Sequence, residues 1–312
     1  MSSDRSQFTG DMGVADEGFS IATEELNDAS FKEQFFSISL AEWSLNKSLF
    51  SNKINNLDFP ELAAKDYGIH VVEYVNQFFK DKASDTIYLN DLLKRCNDNN
   101  VKNHLIMVDG EGGLGELDDK VRIQAIENHY KWIDAAKYLG CKTIRVNAHG
   151  EGSAEEVKSA AINGLAKLGE YAKKVGINVI VENHGGYSSN GEWLSDVMNK
   201  VNMKNVGTLP DIGNFCLKYE NKKCVDEYDR YKGVTEMMPY AKGVSAKSID
   251  FDESGNCIET DYYKMFTIIK NSGFSGYVGI EYGGDKLSEA EGILKTKKLL
   301  QKVAAQINYT IQ

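Results

Sequence analysis

Proline is scarce: the 312 residues hold three, Pro60, Pro210 and Pro239, against 28 glycines. A proline-rich linker between two domains is therefore excluded. No run of about 18 apolar residues occurs, so no segment reads as a membrane-spanning helix. The five cysteines (Cys96, Cys141, Cys216, Cys224, Cys257) are odd in number and scattered, without a CxxC pair. Neither a disulfide framework nor a thiolate zinc site is expected, and Cys141 reads as a small buried hydrophobe entering a strand. No GxGxxG opens the first helix, the GEGGLG segment at 110–115 lacks the Lys-Ser/Thr of a P-loop, and no GxSxG elbow appears. These absences argue against a dinucleotide fold, a phosphate-cradling NTPase and a serine hydrolase. MSSDRSQFTG at the N-terminus lacks the charged–apolar–small pattern of a signal peptide. As written the chain is expected in the cytoplasm; a leader upstream of this start would make it periplasmic or exported instead.

What is present is an ordinary globular composition, 42% hydrophobic and 26% charged, with a formal charge of −10. That charge disfavours nucleic acid and anionic membrane surfaces as partners. It is unevenly placed. Residues 1–30 hold seven acids and a single base, Arg5, and so carry −6 of the total. With no sustained apolar period they read as a disordered or loosely docked acidic arm, which leaves 31–312 as one domain.

From residue 31 the chain repeats one unit: a short apolar run, a polar loop, then an amphipathic stretch of helical spacing. Eight runs read as strands: 35–40, 70–75, 104–109, 143–149, 178–184, 206–211, 243–250 and 277–283. Glycines 68, 140, 176 and 273 stop four of the intervening helices, and a last helix is expected over about 287–308. An open doubly wound sheet also alternates strand and helix. The count of eight and the missing glycine fingerprint favour an α/β fold of the (β/α)8 TIM barrel type in a single domain.

In such a barrel the active site lies at the C-terminal ends of the strands. Three of those ends carry acids: Glu182 in VIVENHGG, Asp211 in TLPDIGN and Glu281 in VGIEYGG. Three converging carboxylates repel one another and are costly to bury unpaired. A divalent cation, a Lys/Arg partner or a shared proton resolves this, and oxygen donors with an imidazole suit Mn, Mg, Co or Zn. Around them, period two places Arg145, Asn147 and His149 on one face of the fourth strand. His184 shares the side of Glu182, and Glu73, Glu42 and Trp43 read as rim contacts, Trp43 against a sugar face or as a barrel-end plug. The acidic, glycine-rich stretch from Asp109 to Gly113 reads as a mobile lid or a flexible connection. His129 reads as a helix-surface or packing residue, and His70 and His104 sit at the barrel floor.

Through VENHGG (181–186), PDIGN (210–214), SAKSID (245–250) and GIEYGG (279–284) the chain resembles the sugar phosphate isomerase/epimerase family of xylose-isomerase-like barrels, over residues 35–308. The resemblance implies a divalent metal held by Glu182, Asp211 and Glu281, with Glu182 and Glu281 also the acid–base pair. Relatives read His-x-Lys on the seventh strand; here the triplet is Ser245-Ala246-Lys247, so Lys247 matches and the imidazole ligand does not. The Asp-x-x-His of strand six is altered to Asp211-Ile-Gly-Asn214, and Asn214 can bond a hydroxyl but not carry a proton.

The expected activity is a metal-assisted isomerase or epimerase acting on a sugar, keto-sugar or sugar phosphate through an enediolate. A keto-sugar dehydratase or lyase on the same barrel is the alternative, and a non-catalytic carbohydrate-binding barrel a second. A DNA-repair endonuclease of this fold would need many histidine ligands and a basic face, which five histidines and a negative charge do not provide. The expected partner is a small carbohydrate, with a homo-oligomer open.

Overall fold

Alternation of side chains along eight parallel strands decides what the barrel interior holds. A computed structural model of the chain describes residues 35–309. The acidic arm expected at 1–30 lies outside them. The barrel strands are β1 (Phe36–Ala41), β2 (Val71–Val75), β3 (Lys102–Met107), β4 (Thr143–Val146), β5 (Asn178–Glu182), β6 (Val206–Leu209), β9 (Val244–Ser248) and β10 (Gly276–Tyr282). A separate hairpin, β7 (Cys216–Glu220) and β8 (Lys223–Glu227), lies between β6 and β9 in sequence. The sheet runs β6-β5-β4-β3-β2-β1-β10-β9, parallel throughout. Backbone bonds close its seam: Ser245 N–H donates to the Pro210 carbonyl at 2.9 Å and Ile212 N–H to the Ser245 carbonyl at 3.1 Å. Each of the eight expected strands is present.

Helices α1 (Asn46–Phe50), α2 (Phe59–Lys65), α3 (Thr86–Asp98), α4 (Asp119–Leu139), α5 (Ala154–Val175), α6 (Gly191–Val201), α7 (Arg230–Met237), α8 (Tyr262–Asn271) and α9 (Glu289–Tyr309) connect the strands. Their ends follow local chemistry. Ser153 and Glu156 form a reciprocal capping box at the start of α5, and Gly176, at φ 76°, ends it in the left-handed conformation that glycine adopts at least cost. No helix among the described residues is long and apolar enough to cross a membrane.

The apolar core divides accordingly. Val179 and Val181 of β5, Ile144 and Val146 of β4, and Val278 and Ile280 of β10 face outward into the layer between strands and helices. The intervening positions point inward. Ala41, Val75, Leu105, Met107, Ile180 and Leu209 form a second, smaller cluster inside the barrel. Along β5 the inward series is Ile180 then Glu182; along β10 it is Gly279 then Glu281. These apolar side chains fill much of the interior, and charged residues stand at the strand ends.

The hairpin was not expected, and it corrects the cysteine reading. Cys216 and Cys224 form a disulfide, their Cα atoms 5.7 Å apart. An antiparallel turn brings together two cysteines that are eight residues apart, a proximity that spacing alone does not reveal. The hairpin is exposed along nearly its whole length, with no apolar face to bury. Such a ribbon is marginal by itself, and the disulfide ties its strands together. Cys96, Cys141 and Cys257 are buried thiols.

Candidate active site

Glu182 ends β5, Asp211 follows β6 by two residues, and Glu281 is the penultimate residue of β10. All three are buried, and an oxygen from each lies within 4.8 Å of the others. Each also has its own partners. Asp211 Oδ1 accepts the Gly213 and Asn214 N–H groups, both at 2.8 Å, and Oδ2 accepts the Ser245 hydroxyl at 2.6 Å. Asn183 fixes the turn by accepting the Asp211 N–H at 2.7 Å and donating to the Asp211 and Asn214 carbonyls. Asn214 in turn donates to Glu182 Oε1 at 3.1 Å. Lys247 Nζ stands 2.5 Å from Glu281 Oε1. Arg145 Nε is 2.8 Å from Glu182 Oε2, a close ion pair without hydrogen-bond alignment, so that oxygen has no hydrogen-bond partner.

These surroundings separate the two glutamates. Burial pushes Glu182 up to about 7, and Arg145 offsets only part of the shift. Burial also acts on Glu281, but the Lys247 ammonium overcomes it and holds that carboxyl below the ordinary range. Asp211, buried among the other acids, is raised to about 7. Lys247 and Arg145 are desolvated too, yet the surrounding carboxylates keep both charged.

A cavity of about 340 Å3 reaches the cluster at Glu281, while Glu182 and Asp211 lie behind its lining. Trp43, Asn147, His149 and His184 line it together with Glu281 and Arg145. Trp43, in a 3-10 turn after β1, meets Phe50 edge-on at 5.9 Å and Phe78 at 6.2 Å. Burial and the nearby Arg145 lower His184, favouring the neutral imidazole. Glu73 does not line this cavity. Its carboxylate is inside the barrel, with Oε1 accepting the Ser39 hydroxyl at 2.5 Å, Oε2 unpartnered, and burial raising it to about 7.

Two residues missing from the expected site join it. Arg145 was placed on the inward face but given no role, and it bridges two acids. Its second partner is Asp109, at 2.6 Å, which also accepts from Asn147 Nδ2 at 2.7 Å. Asp109 follows the apolar run LIMV just as the three strand-end acids follow theirs, a signal masked by the glycines after it. The lid reading of that stretch is corrected. Glu111 accepts from Trp132 Nε1 at 2.7 Å and pairs with Lys131, and Gly112 packs on Ala125, so the segment is fastened to α4. A Cβ on Gly113 would stand 2.6 Å from the His149 carbonyl oxygen, so close packing accounts for this glycine. His129 packs inside α4's buried face, its Nδ1 2.6 Å from the Ala125 carbonyl.

The donor set fits a divalent cation. Arg145 and Lys247 bring two positive charges to the four carboxyls of Glu182, Asp211, Glu281 and Asp109, and Glu182 Oε2 is left without a hydrogen bond. Carboxylate oxygens are the ligands that hard divalent ions take.

No curated protein matches in sequence. Solved structures do match in fold. A D-tagatose 3-epimerase-like protein superposes with a TM-score of 0.66 at 15% identity, covering 88% of this chain and all of that one. An IOLI protein with a bound zinc atom gives 0.65 at 17%, covering 86% and 98%. A xylose isomerase-like TIM barrel protein from Mycobacterium smegmatis, in complex with magnesium, gives 0.60 at 15%, covering 80% and 89%. At these identities the likeness is one of fold. The family model described as xylose isomerase-like TIM barrel matches residues 62–303, and the chain belongs to that family.

Proposed function

We propose that the chain is a sugar isomerase or epimerase that moves a proton at a carbon next to a carbonyl, with Glu281 as base and Glu182 as acid. The observation that supports this most directly is the convergence of two buried glutamates with opposed surroundings, Glu281 against the Lys247 ammonium and Glu182 with one oxygen that has no hydrogen bond. Opposed environments on paired carboxyls are what acid–base catalysis near neutral pH requires.

Glu281 lines the cavity and receives the proton. Glu182 returns one, with Arg145 and Asn214 holding its carboxylate in place. Asn147, His149 and His184 present polar atoms to the substrate hydroxyls, and Trp43 offers a ring face. Glu182, Asp211 and Glu281 would hold a divalent ion, which when bound polarises the carbonyl and neighbouring hydroxyl oxygens. Ser245 replaces the imidazole ligand that the family resemblance implies and hydrogen-bonds Asp211 instead. An all-oxygen set of this kind suits magnesium or manganese better than zinc.

The experiment is proton exchange in D2O, followed by NMR over a panel of aldoses and ketoses with magnesium or manganese added. Deuterium in an isomeric product supports the proposal, and Glu281→Gln should abolish it while leaving the circular dichroism spectrum unchanged. A variant as active as the wild type removes the assignment. Loss of water from the substrate identifies the dehydratase alternative.

A further inference from the structure

A second cavity, of about 170 Å3, adjoins the first. Lys247 lines the smaller one and Glu281 the larger, and the two side chains touch at 2.5 Å. The ion pair at the base of the proposed reaction thus lies where the two chambers meet. The far wall of the smaller chamber comes from the disulfide-tied hairpin, through Cys216, Tyr219 and Cys224. Tyr219 is 62% exposed, an aromatic ring held on a stapled ribbon with no core to pack against. Such rings serve as platforms for ligands with one apolar face and polar edges, as a pyranose has.

Charge narrows the ligand further. Among the described residues lining the two chambers, the ammonium and guanidinium groups belong to Lys247, Arg145 and Arg230. Each is already paired: Lys247 with Glu281, Arg145 with Glu182 and Asp109, and Arg230 with Glu227, the Glu259 carbonyl and the Thr260 hydroxyl. A phosphate carries close to two negative charges and calls for donors not already committed to carboxylates. Both chambers instead retain acids, Asp109 and Glu281 in one, Glu227 and Glu259 in the other.

We infer that the substrate is an uncharged reducing glycoside of at least two units, its reducing unit, which opens to a carbonyl, against Glu281 and its second unit between Lys247 and Tyr219. This rests on the proton-transfer reading above for which ring reacts. It adds the substrate class, unphosphorylated and extended, and gives the hairpin a role in specificity.

The test is isothermal titration calorimetry of the full chain against hexoses, hexose 6-phosphates and neutral reducing disaccharides such as maltose, cellobiose and lactose. At least one disaccharide is expected to bind about tenfold or more tighter than its constituent hexose, equivalent to about 1.4 kcal/mol. Tyr219→Ala should bring that disaccharide down to the affinity of the hexose, and Tyr219→Phe should retain the gain. The ring is exposed, so neither change disturbs the core. A panel in which no disaccharide outbinds its hexose, or in which a hexose phosphate binds tightest, overturns the inference. Failure of the proton-transfer reading shows separately, as deuterium exchange that survives Glu281→Gln, and would leave these affinities where they are.

Discussion

The Ser245 hydroxyl donates to Asp211 Oδ2 at 2.6 Å, both groups fully buried at the seam where β6 meets β9. Serine thus occupies, by orienting a carboxylate, the position at which the family resemblance implies a metal-binding imidazole. Ser245→His should convert an all-oxygen site into one with a borderline nitrogen donor. Zinc affinity, measured by competition with a chromophoric chelator, should rise at least on the order of the 10- to 100-fold that outer-shell partners alone command. Magnesium affinity should not follow. Equal gains for both ions would show that ligand softness is not what Ser245 controls.

Lys247 separates the two glutamates electrostatically. With Lys247→Met the opposite charge is lost and burial acts on Glu281 unopposed, so its carboxyl should titrate about 1 to 3 units higher. Carbon-13 NMR of the labelled side chain reads this without substrate, in EDTA. The acid limb of the exchange rate should move up in pH by a similar amount. A Glu281 titration that stays put would mean that the ion pair seen at 2.5 Å is not what holds this carboxylate ionised.

Much of this arrangement was legible in the sequence because it depends on local periodicity. Eight apolar runs are eight barrel strands, and period two puts Arg145, Asn147 and His149 on the one face that lines the cavity. Strand-end position alone brought Glu182, Asp211 and Glu281 to one mouth. What stayed hidden depends on contacts between distant segments. The β7–β8 hairpin has no buried face and so leaves no alternation to read, and its disulfide follows only from the pairing. The Asp109–Gly113 stretch looked mobile because glycine is permissive, yet those glycines serve close packing, and Glu111 is bonded to Trp132 twenty-one residues on. Glu73 alternates correctly on β2, but nothing local says that it is one layer below the mouth.

Glu73 has its room because β10 carries a glycine opposite. A Cβ built on Gly279 would stand 2.6 Å from one Glu73 carboxylate oxygen and 2.7 Å from the other. Gly279→Ala should therefore destabilise the barrel by about 1–3 kcal/mol, the ordinary cost of overpacking a filled interior. The double variant Gly279→Ala/Glu73→Ala should recover part of that loss, giving a coupling in a double-mutant cycle of urea unfolding. Additive single effects would place the strain elsewhere.

Glu42 gives a pH signature separate from the acid cluster. It is completely buried after β1, with Oε1 accepting from Asn56 Nδ2 at 2.8 Å and Oε2 from the Val75 N–H at 2.9 Å. Burial outweighs both bonds and raises its pKa from 4.5 to about 8. The folded state therefore binds this proton more tightly than the unfolded chain does. Stability from this group is fully present below about pH 4.5 and is lost as pH rises through about 8. The raised carboxyls of Glu73, Glu182 and Asp211 act in the same direction up to about 7. Urea unfolding in EDTA at pH 5 and pH 8 should show the wild type weaker at the higher pH. Glu42→Gln cannot ionise, and should make that decline shallower by on the order of a few kcal/mol. A decline of the same depth in the variant would mean that Glu42 already shares its burial with water, or releases its proton well below pH 8.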